Sequence, residues 1–366
     1  RHEGRPRQGR QPRRRVPAVG VRLQLVARVH RDRGARRTRS GVGGLPHLPG
    51  RLTPAVARTY FALQAAAGAL WWVAVFTVPV VREATLATID PVAMALWDVP
   101  LFVVASAIAA TGQRIAVIVA TAWTIGVTTF LGVFALVTMT AGWGAVLMTA
   151  ASAASVLACV VILHGSAPTH WLMVGPFRIR PAKAGLPTRR HVGATAGQIV
   201  VFWGLALGAV PALLVWVETR WMLHVPVPAG VRIGGAVLFV AASAVGLWSG
   251  AVMSAHGDGT PLPIATARRL VIRGPYRFVR NPMAVAGITQ GIAVGVMLSS
   301  WIVVIYAVCG SVVWNGAIRP LEERDLEARF GEEFRRYRDQ VRCWMPRLTP
   351  VPLDQPVASP VGASAE

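Results

Sequence analysis

Residues 284–318 read AVAGITQGIAVGVMLSSWIVVIYAVCGSVVWNGAI, a stretch without a single charged side chain. A helix needs roughly 20 apolar residues to cross a bilayer core of about 30 Å. This run is therefore too long for one crossing and rather short for two, and the polar pair Ser299–Ser300 near its middle reads as a tight turn. The expected local structure is a hairpin of two helices. Working back toward the N-terminus, further apolar runs of similar length cover Tyr60–Val81, Val92–Ala110, Ile115–Thr140, Trp143–Leu163, Gln198–Val217 and Val231–Met253. Counting the hairpin twice, the chain is expected to be an all-α polytopic transmembrane helix bundle of eight spans.

Composition agrees with that class. Of the 366 residues, 54% are hydrophobic and only 15% charged, with a mean hydropathy of +0.49, which excludes an ordinary soluble globular domain. The formal charge of +22 does not point to nucleic acid, because the basic residues form no single face or stripe. Fourteen of the arginines fall in the first fifty residues, against Glu3 and Asp32 only. Residues 1–53, rich in Arg, Gly and Pro, have neither Met nor a signal-peptide core and are expected to be disordered. A basic arm on anionic lipid or nucleic acid competes there with upstream sequence of no selected function, and the lack of Lys and of an aromatic anchor favours the second. Cys159, Cys309 and Cys343 form no pair with metal or disulfide spacing.

Charge asymmetry orients the bundle, since cytoplasmic loops carry the excess of Lys and Arg. With the N-terminus inside, the inner segments hold Arg51, Arg58, Arg114, then Arg178, Arg180, Lys183, Arg189 and Arg190, then Arg268, Arg269, Arg273, Arg277 and Arg280. The outer connections hold only Arg82, Arg220 and Arg232. Both termini are thus expected on the cytoplasmic side of the plasma membrane. The domain plan is a four-span region at 54–165 of unknown role, a basic cytoplasmic loop at 166–197, a membrane core at 198–347 and a flexible tail at 348–366.

Asp98, beside Pro100 in the second span, is costly at the centre of a bilayer. It marks either a polar site within the bundle, an interfacial residue, or a bond to a neighbouring helix. Trp71, Trp72, Trp97, Trp123 and Trp143 read mainly as interface anchors and packing. His164, His170 and His191 match no metal-ligand spacing, Asp258 reads as a turn residue, and His256 just before that turn reads as structural.

The residues with chemistry gather on either side of the hairpin, in 257–281 and 319–347. The first stretch is dense in Gly and Pro and reads as a fixed irregular loop with backbone N–H groups available to a ligand. In the second, Glu322 and Glu323 open a helical pattern whose apolar positions Leu326, Phe330, Phe334, Tyr337 and Val341 recur at spacings of three and four. An amphipathic cytoplasmic helix is expected, with Arg335, Arg336 and Arg338 toward its end as the helix dipole favours. The dipole alone would account for the glutamates, and positive-inside placement alone for the arginines.

The order of motifs Leu270-Val-x-x-Gly274-Pro-Tyr276-Arg-x-Val-Arg280-Asn281-Pro282-Met283, hairpin, Glu322-Glu323-x-x-Leu326-x-x-x-Phe330-Gly331-x-x-Phe334-x-x-Tyr337 and Trp344-Met-Pro346-Arg347 resembles the integral-membrane methyltransferases. That family groups isoprenylcysteine carboxyl methyltransferases with phospholipid methyltransferases, and the resemblance covers Val231 to Arg347. It implies S-adenosylmethionine as methyl donor and a lipid or prenylated acceptor from the bilayer. It further implies that Arg268, Arg269, Leu270 and Val271 contact the cofactor largely through backbone, with Tyr276 and Arg280 beside it. Asn281, Pro282, Met283 and Ala284 stand where the family often has His-Pro-x-Tyr, so a histidine is replaced and an aromatic ring removed. Glu322 or Glu323 would hold the cofactor, and Arg319 is nearest the family's substrate-side arginine. The first four spans have no counterpart in the minimal family core. A transporter or lipid-binding protein that keeps the fold without catalysis is the rival reading.

Overall fold

The computed structural model describes residues 52–166, 188–257 and 267–352, and every regular element among them is helical. The Arg-rich N-terminal stretch up to residue 51, most of the basic loop, His170, Asp258 and nearly all of the tail lie outside the described residues. Seven helices are long and apolar enough to cross a membrane. Six of them are α1 (Pro54–Thr77), α3 (Pro91–Ala109), α4 (Arg114–Thr138), α5 (Gly142–His164), α6 (Gly193–Arg220) and α7 (Ala229–His256). The short α2 (Pro79–Thr85) follows α1. The seventh long helix is Trp301–Gln340, built from α9 (Trp301–Val313), a π-helical turn Trp314–Ile318, and the charged α10 (Arg319–Gln340).

Before it lies α8 (Pro282–Met297), apolar but only 16 residues long. At 1.5 Å per residue it reaches about 24 Å, short of the roughly 30 Å core. The expected eighth span rests on this helix.

Helix starts follow sequence chemistry. Pro54, Pro79, Pro91 and Pro282 sit in first turns, where a missing N–H costs nothing. Thr53, Asp90, Asn281 and Ser300 cap their helices by accepting from the N–H of Val56 (3.3 Å), Ala93 (2.7 Å), Ala284 (3.0 Å) and Val303 (3.2 Å).

The expected C-terminal hairpin is present: α8 and α9 pack together and are joined by Leu298–Ser300, with Ser299 at φ +54° closing the turn. Their close approach depends on glycine. A Cβ at Gly291 would stand 2.9 Å from Cβ of Ala307, and one at Gly295 would stand 2.8 Å from the backbone N of Val304. On its other side α8 packs extensively on α7.

Among α1–α5 several buried polar side chains are bonded to one another, as an apolar surround favours. Gln64 donates to Ser106 Oγ at 3.0 Å, and Ser155 donates to Gln64 Oε1 at 2.8 Å. Asp98 is 4% exposed, and each of its oxygens accepts an indole N–H, from Trp72 at 2.9 Å and from Trp123 at 2.7 Å. Of the three alternatives open for Asp98, it bonds neighbouring helices. Trp72 and Trp123 are donors to a buried carboxylate, which corrects their reading as interface anchors. The chain continues from Asp98 into a π-helical stretch, Val99–Val104, that contains Pro100.

The two groups of helices meet at the end opposite α10. There Arg220 donates to the carbonyl of Leu136 at 2.6 and 3.0 Å, and Trp143 stacks on Trp301 with ring centroids 5.8 Å apart. The Ser300 hydroxyl donates to the buried carboxylate of Glu218.

Replacing Asp98 with Ala strands two indole donors away from water. The expected loss is about 1–3 kcal/mol, read as a lower thermal midpoint in detergent. An unchanged midpoint would show that the clamp contributes nothing.

Candidate functional site

The chain between α7 and α8 is irregular from Ala267 to Asn281 except for one 3₁₀ turn, Gly274–Arg277. It is pinned at its start, where the N–H groups of Arg268 and Arg269 donate to the carbonyl of Gly257 at 2.7 and 3.2 Å. Those two amides are thereby committed, so the free backbone donors expected of this loop do not include them. Gly274 has φ +54° and lies so close to Val252 and Trp248 of α7 that an added Cβ would stand 3.0 Å from a Val252 methyl. Turn geometry and close approach both demand glycine here.

The second wall is α10. Gly331, at φ +51° and ψ −122°, breaks it into two halves, a backbone conformation that side-chain-bearing residues avoid. Across the break Glu327 receives Arg338 at 2.8 Å and Arg335 at 3.5 Å, holding the halves together. The bend lets Phe334, Tyr337 and Val341 form one apolar cluster with Leu326 and Phe330, packed on Leu270 and Ile272 of the loop. Tyr337 donates its hydroxyl to the carbonyl of Tyr276 at 2.7 Å, and Arg329 donates to the carbonyl of Ala267 at 2.6 Å.

Arg280 is the central tie. Its guanidinium donates to Glu323 Oε1 at 2.8 Å and to the carbonyl of Arg338 at 3.0 Å, while its own N–H donates to the carbonyl of Arg342 at 3.0 Å. Glu323 also faces Arg319 Nε at 3.7 Å.

Between loop and helix lies a cleft. Of the residues expected at a site, Arg269, Leu270, Val271, Tyr276, Arg280, Asn281, Arg319, Glu322 and Glu323 line it. Arg268, Pro282, Met283 and Ala284 do not line it. The side chain of Asn281 is occupied in capping α8 through the N–H of Ala284. Met253, Ala267, Trp314, Leu326, Phe334, Tyr337 and Cys343 complete the lining and escaped the sequence reading as site residues. Leu326, Phe334 and Tyr337 already stood out as the apolar stripe of the charged helix. Trp314 ends the apolar run and Cys343 adjoins the Trp-Met-Pro motif, signals of position rather than chemistry.

The adjacent glutamates differ. Glu323 is committed to two arginines, whereas Glu322 has no hydrogen bond or ion pair among the described residues. The charged helix begins beyond the apolar run, and there burial, with Glu323 and Asp325 close by, pushes the Glu322 carboxyl up to about 7. Burial likewise raises the Tyr276 and Tyr337 phenols and the Cys343 thiol, keeping all three neutral at physiological pH. The cleft thus offers one uncommitted carboxylate, a fixed Arg280–Glu323 pair, and a wall of Trp314, Leu326, Val271 and Phe334. Among the described residues no cluster of His, Cys, Asp or Glu could hold a metal ion.

Residues 231–333 match the family model described as phospholipid methyltransferase. The match begins within α7, spans the loop and the hairpin, and ends just past the break in α10, so this part of the membrane protein is methyltransferase-like. No curated protein and no solved structure matches the chain.

The two glutamates should respond differently at pH 8. Glu323→Gln leaves Arg280 short of its anion and is expected to destabilise by about 1–3 kcal/mol. The Glu322 carboxyl has a folded value raised above its unfolded one, so its ionised form opposes folding above about pH 7. Glu322→Gln removes that opposition and should leave the thermal midpoint unchanged or higher. A loss of stability in Glu322→Gln equal to that in Glu323→Gln would contradict the division.

Proposed function

We propose that the cleft binds S-adenosylmethionine and that the protein methylates a lipid-borne or isoprenylated acceptor, a carboxylate or an amine, at the cytoplasmic membrane face. The observation that carries this reading is the recessed, uncommitted Glu322 carboxylate beside an aromatic and apolar wall. The match to the phospholipid methyltransferase model over the same elements supports it.

The residues fit the donor's chemistry. A sulfonium cation with an ammonium, a carboxylate and an adenosine end calls for an anion, cationic donors and a flat apolar surface. Glu322 supplies the anion. Arg269 supplies cationic donors, the Leu270–Val271 backbone passes along the cleft, and Trp314, Leu326 and Phe334 supply the wall. When bound, S-adenosylmethionine provides a methyl group on positively charged sulfur.

The chain's own part is positional. The Arg280–Glu323 pair and the Tyr337 hydroxyl hold loop and helix at a set separation, and the apolar wall excludes water from the reacting centre. Arg319, at the end of the apolar segment, is placed to receive an acceptor's anionic group. A carboxylate acceptor needs no base, whereas an ammonium must first lose a proton. In the same reading α8 is a tilted or thinned-bilayer eighth span, α10 is an amphipathic helix on the cytoplasmic surface, and both termini are cytoplasmic. A transport role for Asp98 has less support, because both carboxylate oxygens are engaged by tryptophans.

The test is equilibrium binding of S-adenosylmethionine to the full chain in detergent between pH 5 and 7, with S-adenosylhomocysteine as competitor. A cationic ligand requires ionised Glu322, so affinity should fall toward about tenfold per pH unit below 7. Glu322→Gln should bind weakly and without that slope. Absence of saturable binding by folded protein, or an identical slope in the variant, would overturn the reading.

A further inference from the structure

We infer that the rim formed by the exposed part of the segments 267–280 and 341–352, centred on Arg273, Arg342, Met345 and Leu348, none of which lines the cleft, is a docking surface for anionic phospholipid headgroups, independent of what the cleft binds. These two segments contain seven arginines, five in the first and two in the second, and no acidic residue. They form one surface. The N–H of Arg280 donates to the carbonyl of Arg342, that of Arg347 to Phe278, and that of Val351 to Arg277, at 3.0, 2.9 and 3.2 Å.

Of the seven, Arg280 is neutralised by Glu323, while Arg273 and Arg342 are exposed and have no anionic partner among the described residues. Beside Arg342 stand Met345, 64% exposed, and Leu348, fully exposed. Two such apolar side chains at the tip of a basic segment are poorly served by water and well served by the boundary between headgroups and acyl chains.

The depth of the rim can be read from its contacts. Trp344 donates its indole N–H to Asn315 Oδ1 at 2.9 Å and meets Trp314 edge to face at 5.3 Å. Both partners lie in the turn that ends the apolar part of the last long helix. Gly274, next to Arg273, packs on Trp248 and Val252 near the end of α7. The rim therefore sits where two apolar helices stop, at headgroup level, with tryptophan as is usual there. A surface carrying the exposed guanidinium groups of Arg273 and Arg342 at that level is complementary to a phosphodiester headgroup carrying net negative charge, and offers nothing selective to a zwitterionic one.

A local probe tests this in the full chain reconstituted into bilayers of phosphatidylcholine and phosphatidylglycerol. With Leu348→p-benzoylphenylalanine, illumination captures whatever lies against position 348. At about 0.1 M salt, phosphatidylglycerol adducts should exceed their share of the bilayer by on the order of fivefold, the partition that one surface arginine provides. The excess should shrink at 1 M salt, where screening shortens to about 3 Å. It should also shrink in the Arg273→Gln/Arg342→Gln background and be lacking for the same probe at Val80, on the opposite end of the bundle. Adducts that match bilayer composition, an excess untouched by salt and by the two substitutions, or no lipid adduct at 348 would each overturn the inference. The salt arm needs no arginine variant, so misfolding of the double variant would not shelter the proposal.

Discussion

The contact between Arg280 and Glu323 governs the geometry of the C-terminal half. Arg280 ends the irregular loop before the hairpin, and Glu323 lies in the first turns of the helix after it. Their 2.8 Å bond closes a ring of chain that passes down α8, around Ser299–Ser300 and back along α9. Arg280 gives a second guanidinium N–H to the carbonyl of Arg338 and its backbone N–H to that of Arg342 beyond α10, so one residue ties the loop to three places. A guanidinium suits this role because its planar fork serves several acceptors at once while staying charged. Lysine would carry the charge but not the fork.

That ring works only because the hairpin is rigid and thin. Gly291 and Gly295 let α8 and α9 approach closely, and α7 covers the other side of α8. The tie at the far end, where Ser300 caps α9 and donates to Glu218, fixes the start of the helix whose distant end carries Glu322 and Glu323. In a bilayer, where burial of apolar surface does not drive helix association, such close packing and buried polar contacts take over that role. The same reasoning covers the Asp98 clamp in the first group of helices, which draws α1 and α4 onto α3 through indole donors.

The fold was legible because a membrane imposes length and polarity on every span. The uncharged run 284–318 with its serine pair predicts a hairpin that the structure contains, while the shortness of α8 follows from Asn281-Pro282 setting a late helix start. What one dimension hides is partnership. Trp72 and Trp123 looked like anchors since tryptophan is common at membrane interfaces, and only the third dimension brings both indoles to Asp98. Glu322 and Glu323 are equivalent as text, yet one faces two arginines and the other an open cleft. The committed amides of Arg268 and Arg269 were invisible for the same reason, because their acceptor, Gly257, lies across a stretch whose length alone says nothing about where it returns.

Glu322 is the position where stability and function pull apart. A recessed carboxylate with two acidic neighbours and no donor is disfavoured in its ionised form, which raises it to about 7. Folding alone would select glutamine or an apolar residue there, just as it selects partners for Asp98 and Glu323. An acid left without a partner beside the fixed Arg280–Glu323 pair is intelligible if its partner comes from outside. The partner must carry positive charge to lower the carboxyl's affinity for a proton, and must have apolar bulk to match Trp314, Leu326 and Phe334. Those two demands, read from one unsatisfied group and its walls, are the ones the proposed sulfonium donor would meet.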